Sequence, residues 1–434
     1  MKVHARLFGF VRVLLMLSLI TFGVIGCGGG GGGGPSGGGS SGGGGTGGGS
    51  TGAPDIALST TQLDFGGVVI DNFSDRSITV QNTGTADLTI SQIAQLSAPF
   101  RIEEDNCSGI SLSPSGTCSI KVRFSPTDQN SYTGSFNIAS NDSDENPVAV
   151  TLRGLGRGLN VSINRIETDA CTAKTLKLLI SVADKTGTAI AGLQANNFKI
   201  FENGPQINSF GLTIPPIQLP ISVGLVLDYS SSMIPYTADL QAATISFLNQ
   251  LNFLNVPKDE AEIIKFDAEI FPIQAYTSDK DLLTKAVSDP FPGAQAGTSL
   301  FDAVRLSIDN TIARSNIRLA VVAVSDGNDF NSTSTLDEAI AYGVEKGVPV
   351  FTIGIGDVNA EQMQRLAIET GGQYFLAPAS SDLEAIYLQI AQVLSDQYLI
   401  EYTTSSFGGN TVSVDVEVDY NGLQGADSRD ATGC

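Results

Sequence analysis

The sequence predicts a multidomain fold: an N-terminal antiparallel β-sandwich, then a second, small β-sandwich built from two flanks around an inserted α/β doubly wound (Rossmann-like) domain. Three observations predict it. Short runs of alternating apolar and polar residues, broken by turn residues, fill residues 55–156. Near-continuous apolar runs alternating with helical periodicity fill residues 216–396. Strand-like runs return on both sides of that texture, at 157–215 and 397–434. The 434 residues have room for two or three domains at ~100–200 residues each. A hydrophobic content of 41% supports real cores.

Ahead of these domains, residues 1–26 read as a signal segment. Lys2, Arg6 and Arg12 precede an apolar stretch, Val13–Ile25, that is short for a membrane span. The ending Val-Ile-Gly-Cys resembles the lipobox of bacterial lipoproteins. That resemblance implies lipidation of Cys27, export and a lipid anchor in the bacterial membrane. Gly28, in place of the aspartate linked to inner-membrane retention, implies the outer membrane. Residues 27–54 then form the lipidated cysteine and a flexible tether, since "GGGGGGGPSGGGSSGGGGTGGGSTG" can build no core. Such a coil spans roughly 25–30 Å root-mean-square.

Cleavage after Gly26 removes three basic and no acidic residues, moving the formal charge from −21 to −24. A chain this acidic repels phosphate backbones, so no nucleic-acid partner is expected. Cleavage also removes His4, the only histidine. That loss excludes Ser-His-Asp and Cys-His catalysis and His-ligated zinc. Four cysteines remain beside Cys27, and in an exported chain they read as two disulfides. Cys107 and Cys118 flank a loop or hairpin, leaving Cys171 and Cys434 for each other. Free thiols or a metal site are the other reading of these four.

In residues 55–156, "RSITVQNTGTADLTI" gives strand, turn, strand, and "CSIKVRFSP", "GSFNIASND" and "VAVTLRG" continue the pattern. About seven strands at this spacing predict an immunoglobulin-like sandwich. The segment resembles the choice-of-anchor D, or ASPM/SPD-2/hydin-type, Ig-like modules. "NDSDEN" at 141–146 gathers oxygen ligands of the kind calcium takes, but reads better as a solvated turn. In the next block, "LKLLISVAD", "NNFKIFENG" and "INSFGLTI" are strands, and "QYLIEYTTS" with "TVSVDVEVDYN" supplies the far flank. A Cys171–Cys434 bridge would join the two halves.

Within 216–396, "ISVGLVLD" and "IRLAVVAVSD" have the unbroken apolar character of parallel strands covered on both faces. "AEIIKFDAEIFPIQAY" gives two short strands around Asp267, and "VPVFTIGIG" another. "ADLQAATISFLNQL", "LFDAVRLSIDNTIA", "TLDEAIAYGVEKG", "NAEQMQRLAIETGG" and "SDLEAIYLQIAQVL" have helical spacing. In such a sheet the ligand sits beyond the strand C-termini. Two strands end there in Asp228 and Asp326, and Thr298 stands just before a helix. With Ser230 and Ser232 they make an all-oxygen site suited to a hard cation, Mg²⁺ or else Mn²⁺ or Ca²⁺. Asp267, Asp302 and Asp329 read as surface or supporting acids.

"VLDYSSSM", "GTSLFDAV" and "VVAVSDGND", in this order, resemble a von Willebrand factor A (VWA) domain with a metal-ion-dependent adhesion site. The resemblance implies metal contact through the hydroxyls of Ser230, Ser232 and Thr298, with Asp228 and Asp326 helping directly or through water. Tyr229 and Ser231 depart from the frequent pattern, and these departures bear on partner contacts. A cation held largely by neutral hydroxyls stays electrophilic, so its open position draws a carboxylate from a protein ligand. The expectation is an envelope- or surface-anchored lipoprotein that binds a protein through a divalent cation, with no small-molecule substrate. The alternative is a structural or assembly protein of the envelope whose metal site only stabilises. An enzyme is not expected: no lysine stands near Ser230 or Ser232 in a nucleophilic pattern, and no phosphate-binding GxxxxGK occurs.

Overall fold

The computed structural model describes residues 52–168, 174–214, 219–294, 296–356, 358–405 and 411–432. The signal segment, Cys27, nearly all of the glycine-rich tether, Cys171 and Cys434 lie outside the described residues, and with them the proposed lipid anchor and second disulfide.

The first sandwich faces two sheets across one core. One orders its strands Ile56–Leu58, Ser74–Asn82, Thr117–Phe124, Phe100–Asp105; the other orders Gln62–Val69, Val148–Arg157, Ser131–Ile138. Successive side chains point to opposite faces, so the inward set Ile78, Val80, Ile120, Val122 and Phe124 is buried while its neighbours face out. Phe65, Phe100 and Phe124 pack with ring centroids 5.0–5.7 Å apart. Cys107 and Cys118 form a disulfide. The turn at 141–146 is exposed to solvent at every residue but Asp142. Asp142 is buried and accepts from the Ile56 and Asp144 amides, which holds its carboxyl below the usual range, the Ile56 bond contributing most.

A second pair of sheets draws strands from both ends of the remaining chain. Asn160–Thr168, Thr175–Ala183, Tyr398–Thr403 and Gly211–Thr213 form one; Gln206–Ile207, Phe198–Glu202, Thr411–Tyr420 and Leu423–Thr432 form the other. Gly211–Thr213, before the α/β domain, pairs directly with Tyr398–Thr403 after it, Thr213 opposite Leu399. Two of these strands, Asn160–Thr168 and Leu423–Thr432, are not legible in the sequence.

The α/β domain holds a six-stranded sheet of β1 (Ile221–Asp228), β2 (Glu260–Phe266), β3 (Ile270–Thr277), β4 (Arg318–Ser325), β5 (Val350–Ile355) and β6 (Tyr374–Ala377), ordered β3-β2-β1-β4-β5-β6. All neighbours are parallel except β2 and β3. Every residue of β1 and β4 is buried, as their apolar runs require. Helices α1 (Thr237–Leu248), α2 (Lys280–Ser288) and α6 (Leu383–Ser395) share one face and core; α3 (Leu300–Ile312), α4 (Leu336–Lys346) and α5 (Ala360–Thr370) share the other. The short edge strand β6 falls in a stretch that helical periodicity alone leaves blank.

Helix α5 also ties the domains together. The Glu361 carboxylate accepts from the Ser77 amide at 3.0 Å and the Ser77 hydroxyl at 2.6 Å, and Gln364 Nε2 donates to the Phe73 carbonyl at 3.0 Å. Past its C-terminus, Asn164 Nδ2 donates to the Gly371 carbonyl at 2.8 Å. One helix therefore touches both sandwiches.

Candidate metal centre

The chain leaves β1 at Asp228, crosses Tyr229 and Ser230, and tightens into a 3₁₀ turn, Ser231–Tyr236, that leads into α1. The Asp228 carboxylate is buried; its Oδ1 accepts from the Ser230 amide at 2.8 Å and its Oδ2 from the Ser325 hydroxyl at 2.6 Å. Ser230 Oγ and Ser232 Oγ stand 3.2 Å apart. Alternate residues after the strand thus place two hydroxyls side by side above the acid.

Asp326 follows β4, the neighbour of β1, and is close enough to act electrostatically on Asp228. Its carbonyl accepts the Asn359 amide at 2.7 Å, which fixes the loop against the start of α5. Gly327 next to it has φ +77°, and a Cβ there would meet Met363 at 2.8 Å, so this bend calls for glycine. Thr298 sits on the third loop, its amide donating to Asn331 Oδ1 at 3.0 Å and its carbonyl accepting from the Phe330 and Asn331 amides. Gly297, at φ +75°, lets Asn331 approach; a Cβ would lie 2.1 Å from Asn331 Oδ1. Ser299 then donates its amide to the Asp267 carbonyl at the end of β2, which brings this loop to the same carboxyl edge.

The electrostatics suit a cation. Burial pushes the Asp228 carboxyl up to about 6, the bonds from Ser230 and Ser325 opposing the shift and the Asp326 charge adding to it. Residues 229–236, 290–299 and 326–334, the loops of this edge, contain no lysine or arginine. The nearby Lys265 is turned away: its Nζ donates to the Val287 and Asp289 carbonyls at 2.9 and 2.7 Å and lies over the Tyr229 ring. Two acids and three hydroxyls gather at this edge with no basic side chain on its loops, a donor set that fits a hard divalent ion.

Sequence reasoning missed several residues of this edge. Ser325 binds Asp228 and is a lone hydroxyl at the end of an apolar strand, a signal that was available. Asn331 fixes Thr298, and nothing in its spacing marks it. Tyr229 is 2% exposed and stacks on Phe291 with centroids 4.9 Å apart, so it belongs to the core and not to a partner surface; Ser231 is exposed. Asp267 is buried, not a surface acid. Asp302 and Asp329 brace loops: Asp329 accepts from the Phe301 and Ser332 amides, Asp302 from those of Thr333 and Ser334.

Comparison with known proteins gives the following. Residues 222–389 match the von Willebrand factor type A domain, and residues 54–155 match the HYDIN/CFA65/VesB-like Ig-like domain. No curated protein sequence matches the chain. Among solved structures, the conserved hypothetical protein BatB of Bacteroides thetaiotaomicron is 20% identical, covering 40% of this chain and 98% of its own, with a TM-score of 0.35. The vWF domain of the type V pili tip protein Mfa5 of Porphyromonas gingivalis is 13% identical over 41% of this chain and 96% of its own, TM-score 0.35. Proximal thread matrix protein 1 of the mussel byssus, solved with a zinc-occupied MIDAS motif, is 13% identical over 45% of this chain and 50% of its own, TM-score 0.39. The chain carries a von Willebrand factor type A domain behind an Ig-like domain of the HYDIN/CFA65/VesB-like type.

Proposed function

We propose that Asp228, Ser230, Ser232, Thr298 and Asp326 hold one divalent cation, Mg²⁺ or else Mn²⁺ or Ca²⁺, and that the protein binds a protein ligand whose carboxylate completes the coordination. The observation that carries this reading is the gathering of buried acids and neutral hydroxyls at one sheet edge with no basic side chain on its loops. When bound, the cation supplies the positive charge that this edge lacks. Asp228 and Asp326 provide the counter-charge. Ser325 orients Asp228, and Asn331 and Gly297 position Thr298. The role is adhesion or assembly by binding, not catalysis. Export, lipidation at Cys27 and the glycine-rich tether would hold the domains out from the bacterial outer membrane.

Calorimetric titration of Mg²⁺ and Mn²⁺ into the purified protein tests the reading. One-to-one binding that disappears in Asp326→Ala, with the helical circular dichroism unchanged, is the expected result. A wild-type protein that takes up neither ion, nor Ca²⁺ titrated in the same way, would overturn it. Partner capture that survives Asp228→Ala would instead support an assembly role in which the metal only stabilises.

A further inference from the structure

The same edge keeps large apolar side chains in water. Phe330 is 78% exposed and Ile234 51% exposed. Neither belongs to a distant loop. The Phe330 amide donates to the carbonyl of Thr298 at 3.1 Å, and Ile234 lies two residues beyond Ser232 in the same 3₁₀ turn. Pro235, Pro292, Ala294 and Ala296 are also exposed around these loops. An exposed phenyl ring forgoes the stabilisation that its burial would bring. Grouped apolar exposure of this kind marks interaction surfaces, whose energetic centres are enriched in aromatic residues.

Charge narrows what can sit there. With no lysine or arginine on the three loops and Asp326 and Asp329 among their residues, the edge repels strings of acids. A single carboxylate finds its counter-charge only in the cation, and the atoms around that carboxylate meet an apolar rim. From these observations we infer that the ligand is a protein segment presenting one carboxylate between apolar side chains, which pack on Phe330 and Ile234. The inference rests on the metal-site reading above.

The test uses the whole protein and three fluorescent peptides of equal length, centred on Leu-Glu-Leu, Ser-Glu-Ser and Leu-Gln-Leu in a Gly-Ser frame. Binding is followed by polarisation in excess Mg²⁺ and in EDTA, alongside Mg²⁺ calorimetry on each variant. Leu-Glu-Leu should bind about tenfold more tightly than Ser-Glu-Ser, and should be lost with glutamine at the centre or in EDTA. Phe330→Ser should weaken Leu-Glu-Leu about tenfold while its Mg²⁺ isotherm stays that of the wild type. Equal binding of the two acidic peptides overturns the inference, as does an unchanged affinity in Phe330→Ser. Normal Mg²⁺ uptake with no peptide binding sinks the inference alone. Failure of Mg²⁺, Mn²⁺ and Ca²⁺ alike to bind removes the metal reading and this inference together.

Discussion

Replacing Glu262 by glutamine should stabilise the α/β domain at neutral pH. Glu262 lies on β2 and is 1% exposed. Ser307 Oγ donates to its Oε1 at 2.7 Å and Asn310 Nδ2 to its Oε2 at 2.8 Å, both from α3. Tyr276 on β3 closes over it near Gly224, and the Arg314 guanidinium is occupied by Glu260 at 2.6–2.8 Å. Burial outweighs these partners and lifts the carboxyl from 4.5 to about 7. The folded state therefore holds a proton that the unfolded chain releases above about pH 4.5. Stability from this group is full below that pH and declines as pH rises towards 7. At ~1.4 kcal/mol per pH unit the loss approaches about 3 kcal/mol by pH 8. Glutamine keeps two hydrogen-bonding partners, with Asn310 turning its amide, and carries no charge to desolvate. Among the described residues every α-helix belongs to this domain, so the helical circular dichroism signal isolates its unfolding in urea. The Glu262→Gln variant should exceed wild type by about 2–3 kcal/mol at pH 8 and by little at pH 5. A variant less stable at pH 8, or one with the wild-type slope between pH 5 and 8, would refute the reasoning.

Further outcomes can be checked on the same protein. Gly297→Ala should weaken Mg²⁺ binding at least tenfold by driving a Cβ into Asn331 and displacing Thr298, and should lower stability by about 1–3 kcal/mol because of the backbone strain; calorimetry reads the first and the dichroism midpoint in urea the second. Replacing Cys107 and Cys118 together by serine should cost about 3 kcal/mol in the Ig-like domain, the value expected for a loop of this length, and leave the helical transition in place. Ser325→Ala should lower metal affinity several-fold by freeing Asp228, but less than Asp326→Ala, which removes a proposed ligand.

The sequence was most informative where burial is complete. β1 and β4 are covered on both faces, so their residues form unbroken apolar runs, and a polar residue at the end of such a run stands out. That is why Asp228, Ser230, Ser232 and Asp326 were legible as one edge. Partly covered elements left weaker traces. A bulge between Ile163 and Arg165 shifts the phase of Asn160–Thr168, so its alternation breaks midway. Leu423–Thr432 is an edge strand paired on one side only, free to be polar. At four residues, β6 is too short to show a period. Contacts made through tertiary structure left almost no trace. Nothing in the sequence marks the carbonyls at the end of α2 that receive the Lys265 ammonium, or the Phe291 ring that covers Tyr229.

The pairing of Gly211–Thr213 with Tyr398–Thr403 sets an order of events during folding. Joining those strands through roughly 185 unstructured residues would cost about 5 kcal/mol in chain entropy. Folding of the inserted domain brings the two ends to one place and removes most of that cost. Until residues 398–403 have been synthesised, Thr175–Ala183 keeps one edge open, a hazard for wrong pairing. The second sandwich is thus completed last, by three strands that arrive only after the metal-site domain can already have formed. A chain cut short near residue 396 would keep every proposed ligand and still expose an unfinished sheet.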